Sequence, residues 1–267
     1  MQTETPPSSA TPGSARRIAR GLRRRIRPHL VRVDNMVHRP LRLAVSEHDP
    51  SYPVVAPIHP DHVEILGDPA FTDSCREVRR LTLLDTPRLA NLWSLCRMCD
   101  ATGTIIEVGS FRGGGALHLS NSSPDRRIIV CDSFAGFAEL DATLDRGFGK
   151  HMFTDNRRED VERLFEERGR DAIVLAGFFP ASAAGVEIGQ ISFAHVDVDV
   201  YRATKETLDF LAPLMMPRSL MVLDDFHRGA EGVEQAVAEF VADHQDFVAF
   251  PLFPGQALLV KRTWFDR

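Results

Sequence analysis

The chain has 267 residues, a net charge of −5 and an apolar fraction of 43%, enough length to bury a large core. No apolar run reaches the roughly 20 residues that a membrane-spanning helix requires. The charge is divided: residues 1–45 hold ten arginines against Glu4 and Asp34, a balance of +8, which leaves −13 for the remainder. An acidic body argues against a nucleic acid held in a basic channel.

The first fifteen residues are mostly Thr, Ser, Pro and Ala, too apolar-poor to offset their ordering entropy, and are expected to be disordered. Residues 16–33 are basic, with Ile18, Leu22 and Ile26 at helical spacing. They read as a solvated arm or as a contact for an anionic lipid, polymer or partner. Residues 1–45 are therefore assigned as a disordered to basic arm and 46–74 as a linker. Six prolines and glycines fall within 46–70. His59 and His62 have no third ligand nearby and read as surface histidines.

The domain is expected over 75–267, with an N-terminal helical segment as a lid. Residues 71–84 look partly helical. A firmer helix starts at Thr86-Pro87, with Thr86 as its cap and Leu89, Leu92, Trp93, Cys96 and Cys99 on its apolar face. Cys96 and Cys99 form a C-x-x-C without a preceding strand or a second pair, so they read as core. With Cys75 and Cys131 they are too few for a disulfide framework, and a reducing cytoplasm is the expected compartment.

From residue 104 the pattern alternates. Strands are expected at 104–108, 127–131, 172–176, 191–196 and 219–223, and helices at 114–121, 155–169, 202–214 and 230–243. Two final strands, 246–250 and 256–261, are too close for a helical crossover and should pair antiparallel. The expected fold is α/β: a Rossmann-like, seven-stranded, mostly parallel sheet with helices on both faces and a terminal antiparallel hairpin. Its first strand runs into Glu107-Val108-Gly109-Ser110-Phe111-Arg112-Gly113-Gly114, a turn that lets backbone approach a ligand closely. Later strands end at His195-Val196-Asp197-Val198-Asp199 and at Leu223-Asp224-Asp225. All these ends would share one edge of one sheet.

These segments, with Cys131-Asp132-Ser133-Phe134, make residues 75–262 resemble the class I S-adenosylmethionine-dependent methyltransferases. More narrowly, they resemble the macrocin-O-methyltransferase (TylF/MycF-like) family. Met216-Pro217-Arg218 departs from the proline-glycine step usual in that family. The resemblance implies donor contacts at Glu107, Gly109, Ser110, Gly113, Asp132, Ser133, Phe134, Gly177, Phe178 and Asp197. Glu107 would face the donor's positive groups, Asp132 its ribose hydroxyls, and Phe134 or Phe178 its adenine. Gly109 and Gly113 would clear space for its methionine part.

It also implies Asp197, Asp224 and Asp225 as Mg²⁺ ligands. Four carboxylates crowded with Asp199 repel one another unless a hard cation joins them. Lys205, Arg202 or Arg228 would be the alternative counter-charge. Asp199 is the expected general base, with Asp197 and His227 as further catalytic candidates and Tyr201 positioning a sugar. The implied reaction is O-methylation of a sugar hydroxyl on a natural-product glycoside or surface glycan. A catechol-type phenol O-methyltransferase fits less well, because Val200 and Tyr201 stand where such enzymes carry a lysine. A non-catalytic scaffold is the remaining alternative. The expected partners are a small-molecule or glycan acceptor, an anionic membrane touched by the arm, and a second copy of the chain, with no nucleic acid.

Overall fold

A computed structural model describes residues 64–265. The expected arm, and the linker up to residue 63 with His59 and His62, lie outside the described residues. The expected domain boundary at 75 falls inside a helix, α1 (Pro69–Val78). Asp68 accepts the Ala70 N–H at 2.9 Å, Pro69 opens the helix, and Phe71 is fully buried. The next helix, α2 (Thr86–Met98), is capped by Asp85 rather than Thr86. The Asp85 carboxylate accepts the Arg88 N–H at 3.1 Å. Cys96 and Cys99 are buried on it, and burial pushes the Cys99 thiol up to about 12, which suits core packing.

The sheet then builds in chain order. It runs through β1 (Thr104–Val108), α3 (Gly114–Ser122), β2 (Ile128–Asp132), α4 (Arg158–Glu166) and β3 (Ala172–Ala176). The second half is β4 (Ile191–Val196), α5 (Tyr201–Leu211), β5 (Met215–Leu223), α6 (Glu231–Asp243), β6 (Phe247–Leu252) and β7 (Gln256–Lys261). The seven strands lie in the order β3-β2-β1-β4-β5-β7-β6. The first five are parallel, and β7 pairs antiparallel with both β5 and β6. This is the Rossmann-like architecture that the alternation implies. β5 begins at Met215, four residues before the expected start. The register jumps from Ile191↔Met215 to Phe193↔Leu220, so Pro217 sits in an irregular stretch where its missing N–H costs no ladder bond. Among the described residues, no helix is long and apolar enough to cross a membrane.

Strand alternation splits the core between the two faces. Ile106, Val108, Ala194, Val196, Met221 and Leu223 face one layer with residues of α5 and α6. Ile105, Val130, Phe193, Leu220 and Val222 face the other with residues of α1 to α4. In register, Glu107 neighbours His195. By the same alternation both point to the second face, so a carboxylate and an imidazole enter the layer that α2 covers.

His118 on α3 ties that layer together. Its ring meets Ser74 Oγ at 2.8 Å and the Leu89 carbonyl at 3.1 Å, and it packs against Phe71 and Trp93. The carbonyl only accepts, so Nε2 carries the proton and Nδ1 accepts from Ser74. Burial lowers its pKa to about 4. The unfolded chain, at about 6.5, takes the proton first as pH falls. The stabilisation is therefore complete above about pH 6.5 and is lost towards pH 4, on the order of 3 kcal/mol in all. His118→Gln should cost about 1–2 kcal/mol at pH 7 and flatten this part of the acid slope. Urea midpoints for both proteins between pH 7 and 4.5 check it; parallel slopes would refute the assignment.

Candidate active site

The carboxyl ends of β1, β2, β3, β4 and β5 open onto one cavity of about 490 Å³. The strand tips are locked together by backbone bonds beyond the ladders. Gly109 N–H donates to Cys131 O at 2.9 Å, Asp197 N–H to Val108 O at 2.8 Å, and Asp224 N–H to Val196 O at 2.9 Å. Six non-glycine residues have positive φ: Phe111, Phe134, Phe153, Asp199, Asp225 and His227. All lie in segments leaving these strand ends, where strain is stored to aim side chains.

On the β1–β3 side, Glu107 is buried and accepts from His195 Nδ1 at 2.8 Å. Its Oε2 and the Ser110 hydroxyl are buried without a protein partner, and both residues line the cavity. Gly109 is required because a Cβ there would strike the Asp197 carbonyl. Gly113 does not line the cavity. Its φ of 79° makes it the left-handed cap of α3, packed against Val161, and Gly115 is the glycine that makes room for Glu107 Oε1.

Asp132 works first for the protein. Its oxygens accept the Phe111 N–H at 2.7 Å, the Phe134 N–H at 2.8 Å and Asn156 Nδ2 at 3.1 Å. Burial raises its pKa against those bonds. Ser133 shapes the loop by donating to Gly136 O at 2.7 Å. Phe178 is half exposed at the cavity wall beside Gly177, whereas Phe134 packs against the core and does not line the cavity.

On the β4–β5 side, carboxylate oxygens of Asp197, Asp199 and Asp225 come within 4.8 Å of one another. Asp199, at φ 62°, is the centre of a tight turn closed by Val200 N–H donating to Val198 O at 2.7 Å. Burial first, and then the neighbouring aspartates, push Asp197 and Asp199 well above the usual carboxylate range.

Asp224 stands apart from the expected ligand set of Asp197, Asp224 and Asp225. One of its oxygens is paired with Arg88 Nη1, and the other accepts from Gln256 Nε2 at 2.9 Å. Arg88, buried in the first turn of α2, is the counter-charge inside the cluster. Of the three cations expected there, Arg228 reaches Asp225 at 3.6 Å, while Arg202 pairs with Glu139 and Glu206 and Lys205 with Glu239. The signal for Arg88 lay in the sequence: a cation in the first turn opposes the helix dipole and needs a partner elsewhere.

Two expected roles move away from the cavity. The Tyr201 hydroxyl donates to Glu239 on α6 at 2.8 Å. His227 lies 3.2 Å from Glu234, stacks on Phe226 and is not among the cavity-lining residues.

An acid-ended first strand, a glycine turn, a buried acid at the second strand tip and a reversed last strand together define a class I S-adenosylmethionine-dependent methyltransferase. The description of the macrocin-O-methyltransferase (TylF) family matches residues 78–252, and the chain belongs to that family. It is 26% identical over 186 residues to the 8-demethyl-8-(2,3-dimethoxy-alpha-L-rhamnosyl)-tetracenomycin-C 4'-O-methyltransferase of Streptomyces olivaceus, covering 59% of this chain and 71% of that protein. It is 24% identical over 197 residues to the mycinamicin III 3''-O-methyltransferase of Micromonospora griseorubida, covering 63% and 78%. The fold matches the O-methyltransferase NovP with a TM-score of 0.57 at 20% identity, over 68% of this chain and 82% of that one.

The orphaned Glu107 and Ser110 oxygens and the Gly115 cradle fit a donor with a polar, cationic end. Gly115→Ala would force Glu107 off His195. The gain in helix propensity, about 1 kcal/mol, offsets part of that strain. Stability should change little while S-adenosylhomocysteine affinity falls about tenfold or more, the scale of one charge-assisted bond. Calorimetry alongside thermal melting measures both; unchanged affinity would disprove the cradle.

Proposed function

We propose that the protein transfers a methyl group from S-adenosylmethionine to a sugar hydroxyl of a glycoside, assisted by Mg²⁺. The observation that carries this reading is the carboxylate triangle of Asp197, Asp199 and Asp225 on the same cavity as the donor cradle. The curated relatives' names, which specify sugar positions on natural products, support the acceptor class.

The oxygen-only donor set fits Mg²⁺. Asp197, Asp199 and Asp225 would hold it, and when bound it would lower the pKa of a sugar hydroxyl and fix its direction. The chain's own residues do the rest. Glu107 and Ser110 bind the donor's amino-acid end. Asp132 keeps the glycine turn in shape and offers its remaining lone pair to the ribose. Phe178 shields the adenine side. Asp199 accepts the hydroxyl proton, with its carboxylate aimed by the tight turn at residues 198–200. The hydroxyl oxygen then attacks the donor methyl in line, and the C–S bond breaks to leave a neutral thioether. His227 is not assigned a step.

Chelation should abolish methylation of rhamnosyl glycosides and Mg²⁺ should restore it. Asp225→Asn should behave like the chelated enzyme. Asp199→Asn should cut kcat about 10²-fold, the scale of a lost general base, with S-adenosylhomocysteine affinity unchanged. Mass spectrometry of a glycoside panel reads the added methyl group. Full turnover after exhaustive chelation would exclude the cation.

The ten arginines of residues 1–45 also suit contact with an anionic membrane carrying a lipid-linked acceptor. Deleting residues 1–40 should reduce binding to anionic phospholipid vesicles in a salt-sensitive way and leave turnover of a small soluble glycoside intact. Equal vesicle binding by both proteins would remove the arm from this role.

A further inference from the structure

The carboxylates of the acceptor side carry more negative charge than one divalent cation offsets. Asp197, Asp199, Asp224 and Asp225 make four formal charges around the β4 and β5 tips. Arg88 is the buried cation set among them, at 7% exposure. It is held from three directions. Nη2 donates to Leu83 O at 3.0 Å, Nε lies 3.4 Å from Asp85, and Nη1 pairs with Asp224 while standing 3.8 Å from Asp225. The second Asp224 oxygen accepts from Gln256, which is itself fixed by Asn91 Nδ2 at 2.9 Å. Asp224 therefore has an N–H donor from α2 on one oxygen and from β7 on the other. The carboxylates that converge are the other three.

We propose that Arg88 is the positioning residue of the cation site: it withholds Asp224 from the cation, moves the third carboxylate position to Asp199, and stands as a fixed charge in place of a second cation. This rests on the Mg²⁺ reading above. The charges then balance in a useful way. Four carboxylates, one guanidinium and one divalent cation leave a single negative charge beside the donor pocket, which complements the sulfonium. A lost Arg88 would leave two, and would free Asp224 as a ligand. The ligand set then differs from the Asp197, Asp224 and Asp225 that the resemblance implies, because α2 reaches the cluster first.

The test is Mn²⁺ titration of the full chain, followed by calorimetry and by the electron-spin signal of free Mn²⁺, with thermal melting and S-adenosylhomocysteine binding as folding controls. Wild type should bind one Mn²⁺. Asp199→Asn should weaken it about 10–100-fold, and Asp224→Asn by less than about threefold while Arg88 is present. In an Arg88→Gln background, Asp224→Asn should become costly, about tenfold or more, because Asp224 is released. Asp224→Asn as damaging as Asp225→Asn in the Arg88-bearing protein would overturn the proposal and leave the Mg²⁺ reading standing. A wild type that binds no Mn²⁺ would overturn both. If Arg88→Gln does not fold, the comparison of Asp199→Asn with Asp224→Asn in the Arg88-bearing protein decides by itself.

Discussion

Like-charge crowding at the tips of β4 and β5 governs the rest of the site. Carboxylates within a few ångströms of one another in a partly dry cleft repel strongly, and each is driven towards its protonated form unless a positive charge is near. The protein answers with one buried guanidinium, which is itself costly to desolvate and so must be fully bonded. That requirement explains why α2 docks where it does. Asp85 serves twice, capping the helix and receiving Arg88 Nε, and the Leu83 carbonyl takes a third bond. Removing Arg88 would strand a buried aspartate.

The parallel sheet makes the crowding unavoidable and useful. Every parallel strand delivers its carboxyl end to the same edge, so acids 117 residues apart in sequence, Glu107 and Asp224, border one cavity. Side-chain alternation then sorts them. Glu107 and His195 point into the layer under α1 to α4 and bond to each other there. The tips beyond them turn into positive-φ residues that spread Asp199 and Asp225 apart from the strand axis. A regular strand end would not place these side chains together.

The loop at 133–154 is tied to the same machinery. Asp145, nearly fully buried, accepts the Tyr201 N–H at 2.8 Å and the Asp141 N–H at 2.7 Å, so it caps α5 from a distant segment. Gly232 on α6 leaves room for that contact. Edge-on packing of Phe137 with Phe148 and Phe153 stiffens the loop, and Phe111 joins the set from the glycine turn. The donor and acceptor sides of the cavity are thereby linked through one aromatic cluster.

Much of this was legible in the chain itself. Alternation of apolar runs with helical periodicity determined a mostly parallel sheet, and the short spacing of the last two runs determined the reversed hairpin, because a crossover helix could not fit. Acids after β-branched runs marked the strand ends, since a carboxylate inside a buried strand would be too costly. The first helix boundary was obscured because Pro69, which reads as a linker residue, is also a favoured helix opener. The partners of those acids were decided only by tertiary structure. Nothing local distinguishes Asp224 from Asp225; the difference is that α2 and β7 bring Arg88 and Gln256 to one of them. Gly113 and Gly115 likewise look alike in sequence, yet one turns the chain and the other faces a carboxylate. Tyr201 and His227 sit close to the catalytic acids in sequence, but helix geometry turns the tyrosine towards α6, and His227 pairs with Glu234. Sequence proximity sets which residues reach an edge, and only packing between distant elements sets which of them meet.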